Sequence, residues 1–224
     1  KYGTLPFAHL ARNAFVAISL LKSAVSKNII TQEDLDDFLS CIKTVSHQLT
    51  DDAFLTFKNK MSWHDFVNKY GHLRPGTYDI TSQNYRQNPN FYLKPIIKNA
   101  KPAIHKSGYL WKKAKRKLRN SLQQIGINTS VDTLESFLIE SIEGREYAKF
   151  KFSKNLSMAL DLLTQWGKNN NISKDKLAHV SIKDLLSINA GSGPNHKSAK
   201  WIENKAKHGK YFYNKIAGIE LPPL

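Results

Sequence analysis

The sequence contains a single cysteine, Cys41, among its 224 residues. One thiol excludes an intramolecular disulfide and a zinc site built from several cysteines, and it favours a cytoplasmic location. No apolar run in the sequence approaches the roughly 20 residues that a membrane span needs. The chain also begins with neither a methionine nor a signal peptide. We therefore expect a cytoplasmic segment of a longer protein, with no membrane partner.

Arginine is scarce, because 6 Arg stand against 28 Lys in a chain whose formal net charge is +16. A charge of this size is compatible with nucleic acid or another polyanion as a partner. Arginine, however, is the residue preferred for phosphate and base recognition. Abundant Lys together with 18 Asn is typical of an A/T-rich coding genome. The composition favours that explanation, and a basic helical module that binds nucleic acid is kept as the alternative.

The alternating apolar pattern of β-strands is also missing, whereas helical spacing of apolar residues recurs on both sides of a central loop. We predict an all-α (mainly helical) domain with a long ordered central loop and little or no sheet. This domain covers residues 1–218, and residues 219–224 begin a linker. The predicted helices span residues 5–27, 31–42, 62–70, 106–124, 131–169 and 197–217, and shorter helices begin at Asp51 or Asp52, at Ser173 and at Ser181.

Side chains that can cap a helix support several of these starts. Thr31 and Asp34 have the spacing of a capping box, and Ser62 precedes Asp65 in a similar way. Thr129 or Ser130 is expected to begin the longest helix. The central loop covers residues 71–101, and residues 191–194 (GSGP) are expected to form a hinge.

Complete catalytic signatures are absent. The sequence has no glycine-rich phosphate loop followed by Lys and Ser or Thr, no His-Glu-x-x-His zinc motif and no nucleophile elbow. The eight histidines are scattered, so a metal site is not expected. We predict that the isolated chain is inactive and holds no cofactor or metal of its own.

One stretch, residues 70–79 (YGHLRPGTYD), combines a turn signal with side chains that are capable of chemistry. These side chains are His72, Arg74, Tyr78 and Asp79. Arginine offers a planar fork for a carboxylate or phosphate, aspartate suits an ammonium or amide group, and histidine can move protons near neutral pH. A structural turn in which Arg74 and Asp79 pair with each other is equally compatible with the pattern.

A second stretch, residues 143–150 (EGREYAKF), places a glycine inside the longest predicted helix. Because an interior glycine costs about 1 kcal/mol relative to alanine, Gly144 predicts a kink or the close approach of another backbone. Arg145, Glu146 and Lys149 are compatible with a binding site, but the residues alone favour a solvated helix face with salt bridges at spacings of three and four. The same alternatives apply to Arg12 in the first helix.

Both stretches resemble motifs of the phosphoenolpyruvate synthase-like phosphotransferases, which include rifampin phosphotransferases. Residues 70–80 and 85–89 (YRQNP) resemble the family's Tyr-Gly-His-Arg-Gly-Pro-Gly-Glu stretch and the Arg- and Pro-containing stretch that follows it. Residues 145–150 resemble the family's next helix, and residues 219–224 are similar to the strand that enters a swivelling phosphohistidine domain. The turn is most similar to a Leu-Arg-Pro-Gly-Thr-Tyr-Asp-Ile variant in bacterial capsule clusters, where L-glutamine kinases of capsular phosphoramidate biosynthesis carry it.

The resemblance implies the acceptor-binding domain of an AMP-forming enzyme. An ATP-grasp domain and a phosphohistidine domain of the same polypeptide would be its partners, and ATP and Mg²⁺ would be cofactors of the full-length enzyme. The sequence departs from the family pattern at Leu73, Arg74 and Thr77, which are positions where the family would recognise its acceptor. That departure argues against rifampin or pyruvate and is compatible with L-glutamine. A spacer between the catalytic domains is a further alternative.

The resemblance also implies residue roles. His72 is the catalytic candidate, which would assist proton movement or steady the phosphoryl group, and Arg74 would bind the acceptor's carboxylate. Asp79 or Glu146 would orient the nitrogen that is phosphorylated. The other candidate substrate-binding residues are Tyr78, Arg145, Lys149 and Arg12. We expect the turn and residues 145–149 to share one pocket.

Overall fold

The computed structural model describes residues 3–102, 108–189 and 198–219. Within these ranges the chain forms α-helices and no β-strand, which confirms the predicted all-α fold. The helices are α1 (Thr4–Ser26), α2 (Gln32–Cys41), α3 (Val45–Phe57), α4 (Trp63–Tyr70), α5 (Pro89–Tyr92), α6 (Lys94–Lys98), α7 (Tyr109–Gln124), α8 (Val131–Asn169), α9 (Lys174–Leu177), α10 (Ile182–Asn189) and α11 (Ser198–Ile216).

The chain divides into two compact units. Unit 1 comprises Lys1–Tyr70 and Pro89–Ser153, and unit 2 comprises Gly71–Asn88 and Lys154–Leu224. Helix α8 begins in unit 1 and ends in unit 2, and it contains 39 residues. At 1.5 Å per residue it is about 58 Å long. The predicted hinge at 191–194 and most of the predicted linker at 219–224 lie outside the described residues.

The core of unit 1 is formed by one face each of α1, α2, α7 and α8. Ala17 and Leu21 of α1 are fully buried, and the small alanine lets neighbouring helices approach closely. The rings of Phe38 in α2 and Trp111 in α7 lie 4.3 Å apart. Such a pair contributes about 0.5–1.5 kcal/mol beyond its burial of apolar area.

Helix α1 is long and apolar enough to cross a membrane by length and composition alone, with a mean hydropathy of 1.2 in its best window. The sequence analysis expected no such segment. One face of the helix, however, is packed into the core of unit 1 through Ala17, Leu21 and Ala24. The helix also carries Arg12 and Lys22. Only 17% of the apolar window is buried, so one face of the helix is packed and the rest is exposed.

Most predicted helix starts are confirmed. Thr31 and Asp34 form a complete capping box, in which each side chain accepts the other's backbone N–H at 2.9–3.1 Å. Serine hydroxyls accept the backbone N–H three residues later at four further starts, which lie at Ser62, Ser130, Ser173 and Ser181. Each such cap satisfies an N–H that has no partner inside the helix.

Two sequence predictions are wrong in detail. Helix α3 begins at Val45 and is capped by Thr44, so Asp51 and Asp52 lie inside the helix and do not start it. The long central loop is shorter than predicted, because α5 and α6 occupy its second half. Proline stands at the first position of α5 and the second of α6, where its missing N–H has no helical partner to lose. The irregular segment that remains is 71–88.

Helix α7 has an unusual start. Its N-cap residue, Gly108, has a left-handed backbone (φ 60°) and no side chain to cap the helix. The carboxylate of Asp37 in α2 instead accepts the N–H groups of Leu110 and Trp111 at 3.0 and 3.2 Å. The helix ends just before Gly126 (φ 87°), as predicted.

Helix α8 is continuous through Gly144. A Cβ at this position would meet only the Leu10 Cδ2 atom within 4 Å, at an ordinary 3.5 Å. No backbone of the described residues approaches the site closely. The predicted close approach of another backbone is therefore wrong, whereas the predicted kink stays a prediction.

The core of unit 2 is smaller. Ile80 from the segment 71–88 packs with buried aliphatic residues of the helical part, which are Ile172, Leu177, Val180, Ile202 and Ala206. Gly209 of α11 lies so close to the carbonyl oxygen of His179 that a Cβ would overlap with it. This close approach holds α11 against the residues that follow α9.

Candidate functional site

Backbone hydrogen bonds close the segment 71–88 into a compact loop in unit 2. The N–H of Tyr85 donates to the carbonyl of Leu73 at 2.7 Å, and the N–H of Arg86 donates to that of Gly71 at 2.8 Å. At the tip, a Cβ on Gly76 would lie 2.8 Å from the Cβ of Asp79, so only glycine fits there without a shift. The loop is therefore built around the turn that the Pro-Gly pair predicts.

Arg74 is the buried centre of this loop, and its side chain is only 3% exposed. One terminal nitrogen, Nη1, donates to the carbonyl of Ser82 at 3.0 Å and to that of Asp79 at 3.4 Å. The other, Nη2, donates to the Ser157 hydroxyl at 2.9 Å and to Asp161 Oδ1 at 3.0 Å, both on α8. The pairing of Arg74 with the Asp79 side chain is therefore wrong, because Arg74 pairs with Asp161 and Asp79 contributes only its carbonyl.

Asp161 collects three donors from this loop. Besides Arg74, the Asn84 Nδ2 atom donates to Oδ2 at 2.6 Å, and the Gln87 Nε2 atom donates to Oδ1 at 3.3 Å. The carboxylate nevertheless remains 39% exposed. We call Arg74, Asn84, Gln87 and Asp161 the Asp161 cluster.

The two amides of the cluster are oriented by each other. The backbone N–H of Asn84 donates to Gln87 Oε1 at 3.2 Å, and the N–H of Gln87 donates to Asn84 Oδ1 at 2.9 Å. Each amide oxygen is thereby used within the loop, which leaves both NH₂ groups directed at Asp161. The sequence analysis missed Asn84, Gln87 and Asp161, because Asp161 is 74 to 87 positions away from its three donors and no local spacing links it to them.

The other predicted residues of the turn have separate environments. His72 is buried, and Tyr78 is 72% exposed. The Asp79 carboxylate accepts the hydroxyl and the backbone N–H of Thr81 at 2.7 and 2.8 Å. The hydrogen bond from the hydroxyl, which has the larger effect, and the one from the N–H hold the pKa of Asp79 below its usual value. Asp79 thus stabilises its own turn.

The predicted residues of unit 1 lie on α1 and α8. Arg145 pairs with the adjacent Glu146 at 3.1 Å, and its guanidinium lies 5.2 Å from the centre of the Phe15 ring. Lys149 and Arg12 are exposed. Arg145 and Glu146 are 34% and 30% exposed, and their pair joins adjacent residues rather than residues three or four apart. Since the turn belongs to unit 2 and residues 145–149 to unit 1, the shared pocket stays a prediction.

Unit 1 also has a cleft of about 320 Å³ beside Gly144. Its polar lining includes Lys43, Gln48, Glu140 and Glu143, and Tyr147 forms part of its wall. Glu143 already accepts the backbone N–H of Lys43 at 2.8 Å. Across the described residues, no group of three or more His, Cys, Asp or Glu is arranged to hold a metal ion.

Comparisons of the chain with protein-family models, with curated proteins and with solved structures find no match. The resemblance to phosphoenolpyruvate synthase-like enzymes therefore rests on the quoted motifs alone. Among the described residues, those motifs lead to the Asp161 cluster, in which three side chains donate to one carboxylate.

Proposed function

We propose that this chain is the acceptor-binding part of an ATP-dependent, AMP-forming phosphotransferase of the phosphoenolpyruvate synthase-like type. Its acceptor is a small molecule with an ammonium or amide group, and L-glutamine is the first candidate, as in capsule phosphoramidate biosynthesis. The observation that supports the proposal is the Asp161 cluster, in which three donors from the loop 71–88 hold a partly exposed carboxylate of α8 in place.

An ionised carboxylate offers about four lone-pair positions, and the cluster uses three of them. The remaining capacity lies on Oδ2, which among the described residues accepts only the Asn84 amide, and suits an N–H donor from a ligand. Because Arg74, Asn84 and Gln87 fix the carboxylate beforehand, a ligand does not have to order it on binding. The cluster is thus preorganised for a cationic or amide nitrogen.

The geometry gives Arg74 a positioning role within this proposal. Both of its terminal nitrogens are engaged by the protein, so Asp161 rather than Arg74 makes the contact with the acceptor. ATP and Mg²⁺ would act on the ATP-grasp domain, and the phosphoryl group would arrive on a histidine of the swivelling domain. This chain would bind the acceptor through the acceptor's nitrogen.

Isothermal titration calorimetry of the 224-residue chain with L-glutamine tests the proposal. Asp161→Asn should weaken binding about tenfold to a hundredfold, because a charge-assisted hydrogen bond contributes about 1.5–3 kcal/mol. Asp175→Asn removes the same charge from an exposed position of unit 2 and should leave the affinity unchanged.

Titration with L-norleucine, which lacks the side-chain amide, shows which nitrogen is recognised. The absence of any heat with L-glutamine at millimolar concentration would contradict glutamine as the acceptor and would agree with a spacer role. Binding that Asp161→Asn does not change would place the acceptor site elsewhere.

A further inference from the structure

The last part of α11 carries a stripe of apolar side chains that stay half or more exposed, although the His179 ring packs against Tyr213 at 5.4 Å and the His208 ring against Phe212 at 4.8 Å. Residues 202, 206, 209, 213 and 216 follow the alternating spacing of four and three that places side chains on one helix face. Ile202 and Ala206 are buried in the core of unit 2. Tyr213 and Ile216, further along the same face, are each 57% exposed. The face that packs the helix therefore continues beyond its core.

Further apolar side chains widen this stripe. Phe212 and Ile219 lie next to it and are 50% and 62% exposed. The Phe212 ring packs edge-on against Tyr211 at 5.5 Å. Isolated exposed apolar residues are common, but a continuous set at the end of one helix indicates an interaction surface. We call residues 207–219 the α11 end.

The same segment has a one-sided charge. Lys207, Lys210 and Lys215 are exposed, and no carboxylate of the described residues lies within 4.0 Å of their ammonium groups. Lys205, by contrast, pairs with Asp184 at 3.1 Å. The sequence has no Asp or Glu between Glu203 and Glu220. At 100° per residue, Lys210 and Lys215 flank the apolar stripe on opposite sides.

We propose that the α11 end binds the surface of a lipid bilayer that contains anionic lipids. An apolar stripe flanked by lysines is the pattern of a helix that lies in the interface, where its apolar side chains enter the acyl boundary. The long stems of the lysines let their ammonium groups reach the headgroups. Tyrosine suits this depth because its ring is apolar and its hydroxyl is polar.

Other polyanions fit the α11 end less well. Single-stranded nucleic acid is bound by free aromatic faces, usually together with arginine. Ile216 and Ile219 have no such face, the Lys215 ammonium lies 4.7 Å from the Tyr211 ring, and α11 contains no arginine. The inference departs from the expectation of no membrane partner. That expectation rested on the lack of a membrane-spanning run in the sequence, which does not test a helix at the surface. The inference about the α11 end is also independent of the proposed acceptor site.

Flotation of the whole chain with vesicles provides the test. Binding is expected to phosphatidylcholine vesicles that contain phosphatidylserine and not to phosphatidylcholine alone, and it should weaken as salt is added. The triple variant Lys207→Gln/Lys210→Gln/Lys215→Gln should lower the partition coefficient about a hundredfold, since each lysine near an anionic surface contributes about a factor of five.

A matched control separates this surface from the high overall charge. Lys112→Gln/Lys113→Gln/Lys117→Gln removes the same charge from the exposed side of α7, whose main apolar face (Trp111, Ala114, Leu118 and Leu122) is buried. This control should retain most of the binding. An equal loss in both triple variants would overturn the proposal, because general charge attraction would then explain it.

The double variant Phe212→Ser/Ile216→Ser tests the apolar part without changing the charge. Both positions are exposed, so circular dichroism should show an intact fold. Vesicle binding should fall at least about tenfold, because burial of one such side chain contributes about 1.5–3 kcal/mol. Unchanged binding would overturn the proposal, as would phosphatidylserine-independent binding. Dimerisation of the chain that either α11 variant abolishes would also overturn the proposal. The same holds for binding of single-stranded RNA, without vesicle binding, if either α11 variant abolishes it.

Discussion

Arg74 and Asp161 form a 3.0 Å ion pair although they are 87 positions apart in the chain. The arginine comes from an irregular loop and is almost fully buried, whereas the aspartate projects from a regular helix and is partly exposed. A buried guanidinium is tolerated only when an opposite charge lies nearby and its N–H groups have hydrogen-bond acceptors. The pair therefore fixes the loop 71–88 against the second half of α8.

The first prediction concerns this pair. Arg74→Met should lower the free energy of unfolding by about 2–4 kcal/mol, because it leaves the carbonyls of Ser82 and Asp79 and the Ser157 hydroxyl without their donor. Urea denaturation measures the change. Arg116→Met, at an exposed position of α7, is the control and should change stability by less than about 0.5 kcal/mol. An equally small effect of Arg74→Met would show that the loop is held by other contacts.

The second prediction concerns stability at alkaline pH. The Tyr70 hydroxyl donates to Asp52 Oδ2 at 2.7 Å, and the Lys69 ammonium donates to the same oxygen at 2.6 Å. Burial of the phenol and then its hydrogen bond to the carboxylate raise the pKa of Tyr70 well above its usual value. The folded state thus keeps a proton that the unfolded state releases above about pH 10. Stability from this group is complete below that pH and is lost as the pH rises.

The loss should amount to about 1.4 kcal/mol per pH unit above pH 10. In Tyr70→Phe this contribution is absent, so the stability difference between the wild type and the variant should shrink as the pH rises from 9 to above 10. Urea unfolding at several pH values measures it. A difference that stays constant with pH would contradict the raised pKa. Tyr78→Phe, at a largely exposed ring, controls for the loss of a phenol and should leave stability at neutral pH unchanged.

The third prediction compares two helix glycines. Gly144→Ala should raise the free energy of unfolding by about 0.5–1 kcal/mol, because the new methyl group has room and alanine favours the helix. Gly209→Ala should lower it by at least about 2 kcal/mol, because the same methyl group would overlap with the His179 carbonyl. Thermal unfolding of the two variants should therefore shift in opposite directions. A shift of the same sign would contradict the packing of α11.

The fourth prediction concerns catalysis. The purified chain should neither bind ATP tightly nor release AMP from it, because its sequence has no phosphate-binding loop. A sensitive assay of AMP release, with and without L-glutamine, measures this. Detectable turnover would contradict the assignment of the ATP site to another domain.

Local signals explain what the sequence predicts well. The Thr31 and Asp34 box and the serine caps are confirmed, because a cap joins residues only three positions apart. The prediction at Asp51 and Asp52 is wrong for a related reason. Thr44 offers an equally good cap earlier in the chain, and the apolar spacing of α3 does not distinguish the two starts.

Contacts between distant residues explain what the sequence misses. Nothing near Asp161 indicates that Arg74, Asn84 and Gln87 converge on it, because it is a single acidic residue in an apolar stretch of a helix. Arg74 was identified from its turn, but its burial and its partners depend on how the loop packs on α8. The shared pocket with residues 145–149 and the roles of His72 and Tyr78 stay predictions.

The first turn of α7 is capped by Asp37 of α2, and this bears on the order of folding. Since Gly108 has no side chain to start the helix, the first turn of α7 depends on a carboxylate that belongs to α2. A helix that lacks a local cap nucleates poorly when isolated. The first turn of α7 should therefore form only after α2 has docked, and substitutions at Asp37 should slow folding to the extent that this contact is present in the transition state.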